Sequence, residues 1–268
     1  TSDLFTSNTE RASFTGAFGF ERRLGVAASY AQGPWVVQGG VYADDISALT
    51  NASNNSWSAD GRIVYGPKFG NTQLHFGASA HTRSFNDLTS VARYRARPFI
   101  HSTDTRLVDT GNFSASGENS YGLELAAING RYHGAAESHW LTARRPGLTD
   151  PTFNGGYGEL GVFLTDDTRN WRKGAFDRVT PRHALGNGGA GALELNLRYD
   201  WLDLADLSAG VNGGRQSIYS ASLTWIPTAY VRFIANYGRV ELRDARVLAG
   251  TSRDYGADTM ALRAQIDF

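Results

Sequence analysis

The last nine residues, Met260 to Phe268, alternate without a fault. Met260, Leu262, Ala264, Ile266 and Phe268 fall on one side of a strand, and Ala261, Arg263, Gln265 and Asp267 on the other. The same period of two recurs upstream. Leu193, Leu195, Leu197, Tyr199 and Trp201 oppose Glu194, Asn196, Arg198 and Asp200. Tyr219, Ala221, Leu223 and Trp225 oppose Ser220, Ser222 and Thr224, and Leu74, Phe76, Ala78 and Ala80 oppose His75, Gly77, Ser79 and His81. Val231, Phe233, Ala235 and Tyr237 oppose Arg232 and Asn236. A soluble sandwich would account for one such strand. Recurrence along the chain, with aromatic residues gathered towards strand ends, predicts an all-β fold, an antiparallel transmembrane β-barrel with lipid outside and water inside.

Strands are expected over about 22–30, 35–43, 57–66, 72–82, 88–97, 119–128, 131–143, 155–165, 190–201, 214–225, 229–241 and 256–268. Most approach the ~9–11 residues a tilted strand needs to cross a bilayer. This makes about twelve strands in a single domain spanning 1–268, with residues 104–113 and 174–180 as places for another. Asn129-Gly130 reads as a tight hairpin turn, and Ile226-Pro227-Thr228 as a short reversal with its proline outside both ladders. Longer loops occupy about 44–56, 98–118, 144–154, 166–189, 202–213 and 242–255. Counting back from Phe268 makes 202–213 and 242–255 external. No apolar run approaches the ~20 residues of a membrane helix. The opening Thr1-Ser2-Asp3-Leu4-Phe5 has neither a basic region nor an apolar core, so the chain reads as mature or incomplete.

Composition excludes several chemistries. There is no cysteine, which removes disulfides, thiolate metal sites and cysteine nucleophiles. Formal net charge is zero, so no global field favours nucleic acid. Of the 26 basic residues only Lys68 and Lys173 are lysine, leaving 26 − 2 = 24 arginines. An arginine-favouring genome explains this as well as a lumen holding anions on permanently charged guanidinium forks.

Arg93, Arg95 and Arg97 are the sharpest constellation. Their spacing puts all three on one face, with Ala92, Tyr94 and Ala96 on the other. Guanidiniums facing lipid would cost about 2–4 kcal/mol each near the midplane, so the row is expected to face the lumen. It reads as an anion ladder or as one side of a lumen ion-pair network. Arg22 and Arg23 open a strand, one pointing inward or anchoring at the interface; Arg62, Arg131, Arg198, Arg232 and Arg263 read as structural lumen residues.

Other motifs are weak. Gly186-Asn187-Gly188-Gly189-Ala190-Gly191 precedes a strand where a phosphate loop needs a helix, so it reads as a turn. His75 and His81, and His133 and His139, have no carboxylate or cysteine at metal spacing. Glu137, Ser138 and His139 fail as a hydrolytic trio because Ser138 and His139 point to opposite faces. Asn51-Ala52-Ser53 and Asn112-Phe113-Ser114 match glycosylation acceptors, which mean little in a bacterial envelope.

Several stretches together resemble the phosphate-selective porin family of Gram-negative outer membranes. Asn8-Thr9-Glu10-Arg11-Ala12, followed by Arg22-Arg23-Leu24-Gly25-Val26, is similar to that family's inward-folded constriction loop and the strand after it. Tyr94-Arg95-Ala96-Arg97-Pro98 and Arg106-Leu107-Val108-Asp109-Thr110-Gly111 resemble its arginine-bearing strand and loop. Phe163-Leu164-Thr165, Gly191-Ala192-Leu193-Glu194-Leu195 and Arg198-Tyr199-Asp200-Trp201-Leu202-Asp203-Leu204 are similar to later strands, as is Leu262 to Phe268. The terminal aromatic also looks like an outer-membrane assembly signal. The resemblance implies a sixteen-stranded barrel that forms homotrimers. Residues 1–21 would be the constriction loop, and about four strands would precede Thr1. It places Arg11 at the narrowest point, supports Arg93, Arg95 and Arg97 as the ladder, and adds Arg106. The family's outer vestibule uses lysines, which this chain nearly lacks, so a broader anion or small-solute pore fits better than strict phosphate specificity.

The sequence therefore predicts an outer-membrane porin, not an enzyme, passing small anions by diffusion, with phosphate or polyphosphate foremost. Arg11, Arg93, Arg95, Arg97 and Arg106 are its anion-binding candidates. Partners would be anions, lipid and lipopolysaccharide, and like subunits; no cofactor, metal or nucleic acid is expected. A general or carbohydrate porin, or a structural barrel docking another envelope component through 98–118 and 166–189, are the alternatives.

Overall fold

The structure, a computed structural model, describes residues 3–19, 23–44, 54–87, 90–100 and 102–267. Arg22, Asn51-Ala52-Ser53 and Phe268, all singled out above, lie outside the described residues. In chain order the strands are β1 (Gly25–Gln32), β2 (Trp35–Tyr42), β3 (Trp57–Tyr65), β4 (Lys68–Phe69), β5 (Thr72–Ser84), β6 (Val91–Ala92), β7 (Arg95–Ala96), β8 (Val108–Asp109) and β9 (Phe113–Ser114). They continue with β10 (Gly117–Asn129), β11 (Tyr132–Arg144), β12 (Thr152–Phe163), β13 (Asn170–Arg172), β14 (Ala175–Asp177), β15 (Ala192–Asp206), β16 (Val211–Thr228), β17 (Val231–Arg243) and β18 (Tyr255–Ile266). Among the described residues one short α-helix, α1, covers Ser13–Ala17, with single 3-10 turns at Asp3–Phe5 and Leu207–Ala209.

Twelve strands form one antiparallel sheet in the order β1-β2-β3-β5-β10-β11-β12-β15-β16-β17-β18, with β4 paired to β5. Neighbours in space are neighbours along the wall, as hairpin connections require. Among the described residues β1 and β18 end the path and do not pair with each other. The sheet nevertheless wraps round the chain's own start. Residues 4–13 bond to side chains on β15, β16, β17 and β18, while Arg11 and Phe14 share a cavity with residues of β1, β2, β3, β5, β10 and β11.

Register sets the two faces. Leu195, Leu223, Ala235 and Leu262 stand in one outward row across β15 to β18. Below it lie Leu193, Trp225, Phe233 and Ala264; above it come Leu197, Ala221, Tyr237 and Met260, then Tyr199, Tyr219, Arg239 and Asp258. From Leu193 to Trp201 the strand runs roughly 27 Å at ~3.4 Å per residue. A tilt of roughly 40° leaves about 20 Å of height, comparable with the ~25 Å apolar band of outer-membrane barrels. Leu262 is 88% and Met260 81% exposed, and Leu160, Ile266 and Leu197 are also open. The belt is apolar up to the row of Tyr199 and Tyr219, where the Arg239–Asp258 pair marks its polar edge, and an apolar surface of that kind fits lipid, not water. The inward positions are opposite in kind: Glu194, Asn196, Asp200, Arg198 and Arg232 are buried, and Arg263 is half-buried.

The inner face divides by height. Near the end carrying the connection between β5 and β10, Leu141, Phe153, Leu202, Leu204, Ile218, Val240 and Leu242 point inward and form the main apolar cluster with α1 and described residues of that connection. Below that cluster the inward residues are polar, and at the opposite end Phe163, Ala192 and Ile226 face inward in a second apolar cluster with Val179. That end holds the connection 164–191 and the tight turns at 33–34, 130–131 and 229–230, the first two opened by Gly33 and Gly130 at positive φ. Short turns mark the periplasmic end of such barrels.

Three sequence expectations change. The strand expected over 88–97 is not part of the wall. Among the described residues only β6 and β7 form there, pairing with β9 and β8 inside the long connection between β5 and β10. Ala92, Tyr94 and Ala96 face the apolar cluster, not lipid. A small-apolar face opposite a charged one has the same period whether it meets lipid or a protein interior. Positive φ at Ser90 and Phe99 and the proline at 98 keep the segment too short to cross. The twelfth strand of the sheet is instead two-residue β4. Residues 104–113 and 174–180 do hold short strands, β8 and β14, but these lie outside the sheet. The reversal near Pro227 falls one step later, at Ala229-Tyr230, with Pro227 in a register break between Trp225 and Thr228.

Candidate functional site

An extended chain inside a barrel must satisfy its own carbonyls and amides. The inward side chains of β15 to β18 do this for the segment before α1. Arg232 donates to the carbonyls of Leu4 (2.5 Å) and Thr6 (2.9 Å), Ser222 to that of Ser7 (2.7 Å), and Arg198 to that of Glu10 (3.1 Å). Asn236 accepts from the Thr9 amide (3.1 Å) and Asp200 from the Ser13 amide (2.8 Å). Wall residues that the sequence marks only as inward-facing therefore fix this segment's path, and they leave Arg11 exposed at mid-height.

Arg11 lines two cavities. The larger, about 520 Å³, is bounded by Gln38, Asp60, Arg62, His81, Glu124, Glu137 and His139, among others; the smaller, about 110 Å³, by Glu137, Tyr157, Glu159, Arg169 and Arg198. A third, of about 190 Å³, lies between Arg62, Glu124, Glu137, Tyr157 and Trp171. Most wall charges here are paired. Arg62 forks onto Glu124 (2.7 and 2.6 Å), which His75 also meets at 3.1 Å. Arg198 meets Glu159 at 3.2 Å, and His81 meets Asp60 at 2.6 Å. Glu194, fully buried, is held by His133 at 3.0 Å and Arg169 at 3.2 Å.

The remaining candidates form a separate group. Arg93, Arg95, Arg97 and Arg106 share the connection between β5 and β10, whose apolar side packs inward while Arg93 and Arg95 stay exposed. Tyr94 Oη donates to Glu118 of β10 (2.5 Å), tying the segment to the wall. The row is partly neutralised from within its own loop. Arg93 forks onto Asp109 (2.9 and 2.5 Å), and Arg97 donates to Asp104 (3.0 Å) and to the carbonyl of Thr103 (2.8 Å). Arg106 donates to the Asp104 carbonyl (2.9 Å). Among the described residues Arg95 makes no hydrogen bond or ion pair, though Asp104, Asp109 and Arg106 feel its charge. Arg11 is not part of this group; it borders the mid-height cavities and none of the loop arginines does.

Burial would raise the Asp109 pKa, but the Arg93 fork and the Gly111 amide (2.9 Å) hold it below the ordinary carboxylate value. A depressed carboxylate contributes stability that is present at neutral pH and is lost as pH falls through its folded pKa. Amide exchange in residues 91–96 and 107–114 should therefore stay slow from pH 7 down through the normal carboxylate range and quicken only below it. Quickening already near pH 5 would show that Asp109 does not anchor the loop.

The sequence reading overlooked the acids that face these cavities. The histidines have no carboxylate at metal spacing along the chain, but across strands His75 and His133 each meet one and His81 meets two. Among the described residues no cluster of His, Asp and Glu fits a metal ion. His139 stacks on Phe14 (centroids 4.8 Å apart), on the face away from Ser138, so no hydrolytic trio forms. The glycine run 186–191 is a turn closed by the Gly191 amide on the His183 carbonyl (2.9 Å).

An uncharacterised protein of Caulobacter vibrioides is 50% identical over 277 residues, an alignment covering all of this chain and 56% of that protein. The chain thus spans about half the length of the relative it matches. The family description "phosphate-selective porin O and P" matches residues 1–268. With an antiparallel twelve-stranded sheet, a lipid-type apolar belt and a polar interior crossed by its own N-terminal segment, the chain belongs to the phosphate-selective porin O and P family.

Proposed function

We propose that the whole protein is an outer-membrane porin through which small anions diffuse, phosphate or polyphosphate being the first candidates. The observation that carries this reading is the row of Arg93, Arg95 and Arg97, the first two exposed and the third half-buried, with Arg95 bearing no carboxylate among the described residues. A series of weak guanidinium sites replaces part of an anion's hydration shell yet lets it leave. Arg106 extends the row, and Arg11, exposed at mid-height on the inward segment, would stand at the constriction. Among the described residues the outer edges of β1 and β18 are unpaired; an edge in lipid needs a partner, and further strands would supply it, in keeping with a sixteen-stranded barrel and a homotrimer.

The paired state of Arg62, Arg169 and Arg198 favours a second reading, a general pore of weaker selectivity, and the near absence of lysine points the same way. Reversal potentials of the full-length protein in a planar bilayer under a salt gradient separate the two. Arg95→Gln should lower the chloride-to-potassium permeability ratio about two- to fivefold, since a fixed charge in a narrow lumen is poorly screened. Arg97→Gln should do less, because Asp104 already neutralises Arg97. If neither substitution moves the potential, the arginine row is structural.

A further inference from the structure

Glu137 is the inward carboxylate that borders all three mid-height cavities. Its cross-strand neighbours on the same face are Glu124 of β10 and Tyr157 of β12. Two carboxylates directly opposite one another repel, and the sheet resolves this for Glu124 with the fork from Arg62 and with His75. Glu137 receives only the Tyr157 hydroxyl, at 2.9 Å, and no ion pair among the described residues. The other cavity-lining acids, Asp60, Glu124 and Glu159, each have a basic partner. Arg11 borders two of the same cavities.

We propose that Glu137 is a selectivity-setting residue of the lumen, a carboxylate with no ion-pair partner among the described residues, set against Arg11 at mid-height. A solute passing this level meets a transverse field, positive on the inner segment and negative on the wall. Such a field orients a dipolar or zwitterionic solute, which can present each of its ends to the matching wall. It opposes a multiply charged anion, which gains at Arg11 and loses at Glu137. Glu137 would thereby hold anion preference below what the arginines alone would give. This inference rests on the porin reading.

The test uses full-length protein in planar bilayers with a potassium chloride gradient. Wild-type conductance is recorded first, and its absence would overturn the porin reading and the inference with it. Given conductance, Glu137→Gln should raise the chloride-to-potassium permeability ratio about two- to fivefold, the effect of deleting one nearby, weakly screened charge. It should also ease the passage of inorganic phosphate relative to chloride. Glu241→Gln, an outward residue on β17, removes the same charge outside the lumen and should leave both readings unchanged. Should Glu137→Gln fail to insert, Glu137→Ala offers the same readout without a side-chain amide to satisfy. A conducting Glu137 variant with wild-type selectivity would overturn the assignment while leaving the porin reading intact.

Discussion

Replacing Arg169 by methionine should destabilise the protein by about 3–5 kcal/mol, the usual loss when one partner of a buried ion pair is removed. The magnitude follows from where the charge is held. Glu194 is 0% exposed, and its two oxygens meet Arg169 at 3.2–3.3 Å and His133 at 3.0 Å. Methionine fills similar volume but leaves the carboxylate in a site packed by Phe163 and Phe176 with only His133 to compensate it. Arg169 also donates to the Phe5 carbonyl and lies 4.9 Å over the Phe176 ring. One side chain thus ties together wall strand β15, the connection 164–191 and the inner N-terminal segment. The double variant Arg169→Met with Glu194→Gln removes both charges and should recover a large part of the loss, because an uncompensated buried charge costs more than an absent pair. Urea titration of full-length protein folded in lipid vesicles measures both. A single variant within 1 kcal/mol of wild type would show that Glu194 takes up its proton or finds water.

The wall was legible in the sequence because lipid and lumen impose opposite chemistries on alternate residues. Leu195 against Glu194 and Leu223 against Ser222 declare their faces without any knowledge of neighbours. The same rule failed over 88–97, where Tyr94 and Ala96 meet a packed interior inside the barrel and the alternation looks identical. Period reports that a strand has two environments but does not say which. The site was less legible than the wall. Arg62 reaches Glu124 across an intervening strand, over Gly77, where a Cβ would come within 3.0 Å of the Glu124 side chain. No spacing in the chain encodes that contact, since it depends on strand order and on a missing side chain. Glu137 carried a usable signal, its inward parity with His133, His139 and Leu141, but which inward acids are compensated only register reveals.

An arginine at the middle of the outward belt should cost about 2–4 kcal/mol, and one at its rim about 0–1 kcal/mol. Leu223 and Ser217 lie on the same face of β16, and register places them at different depths. Leu223 stands in the central row with Leu195, Ala235 and Leu262, whereas Ser217 stands between Trp201 and Glu241, beyond the aromatic row of Tyr199 and Tyr219. Leu223→Arg must put a guanidinium into the apolar belt, with Leu195 and Ala235 as its cross-strand neighbours. Ser217→Arg meets headgroups and the Glu241 carboxylate. Both substitutions change net charge equally and neither touches the lumen, so their difference isolates depth. Urea titration in lipid vesicles should therefore separate the two variants by about 2–3 kcal/mol, with Leu223→Arg the less stable. In detergent micelles, which deform around a charge, the gap should shrink. If the two variants are equally stable in lipid, the outward face of β16 does not meet hydrocarbon and the membrane-spanning reading of the sheet fails with it.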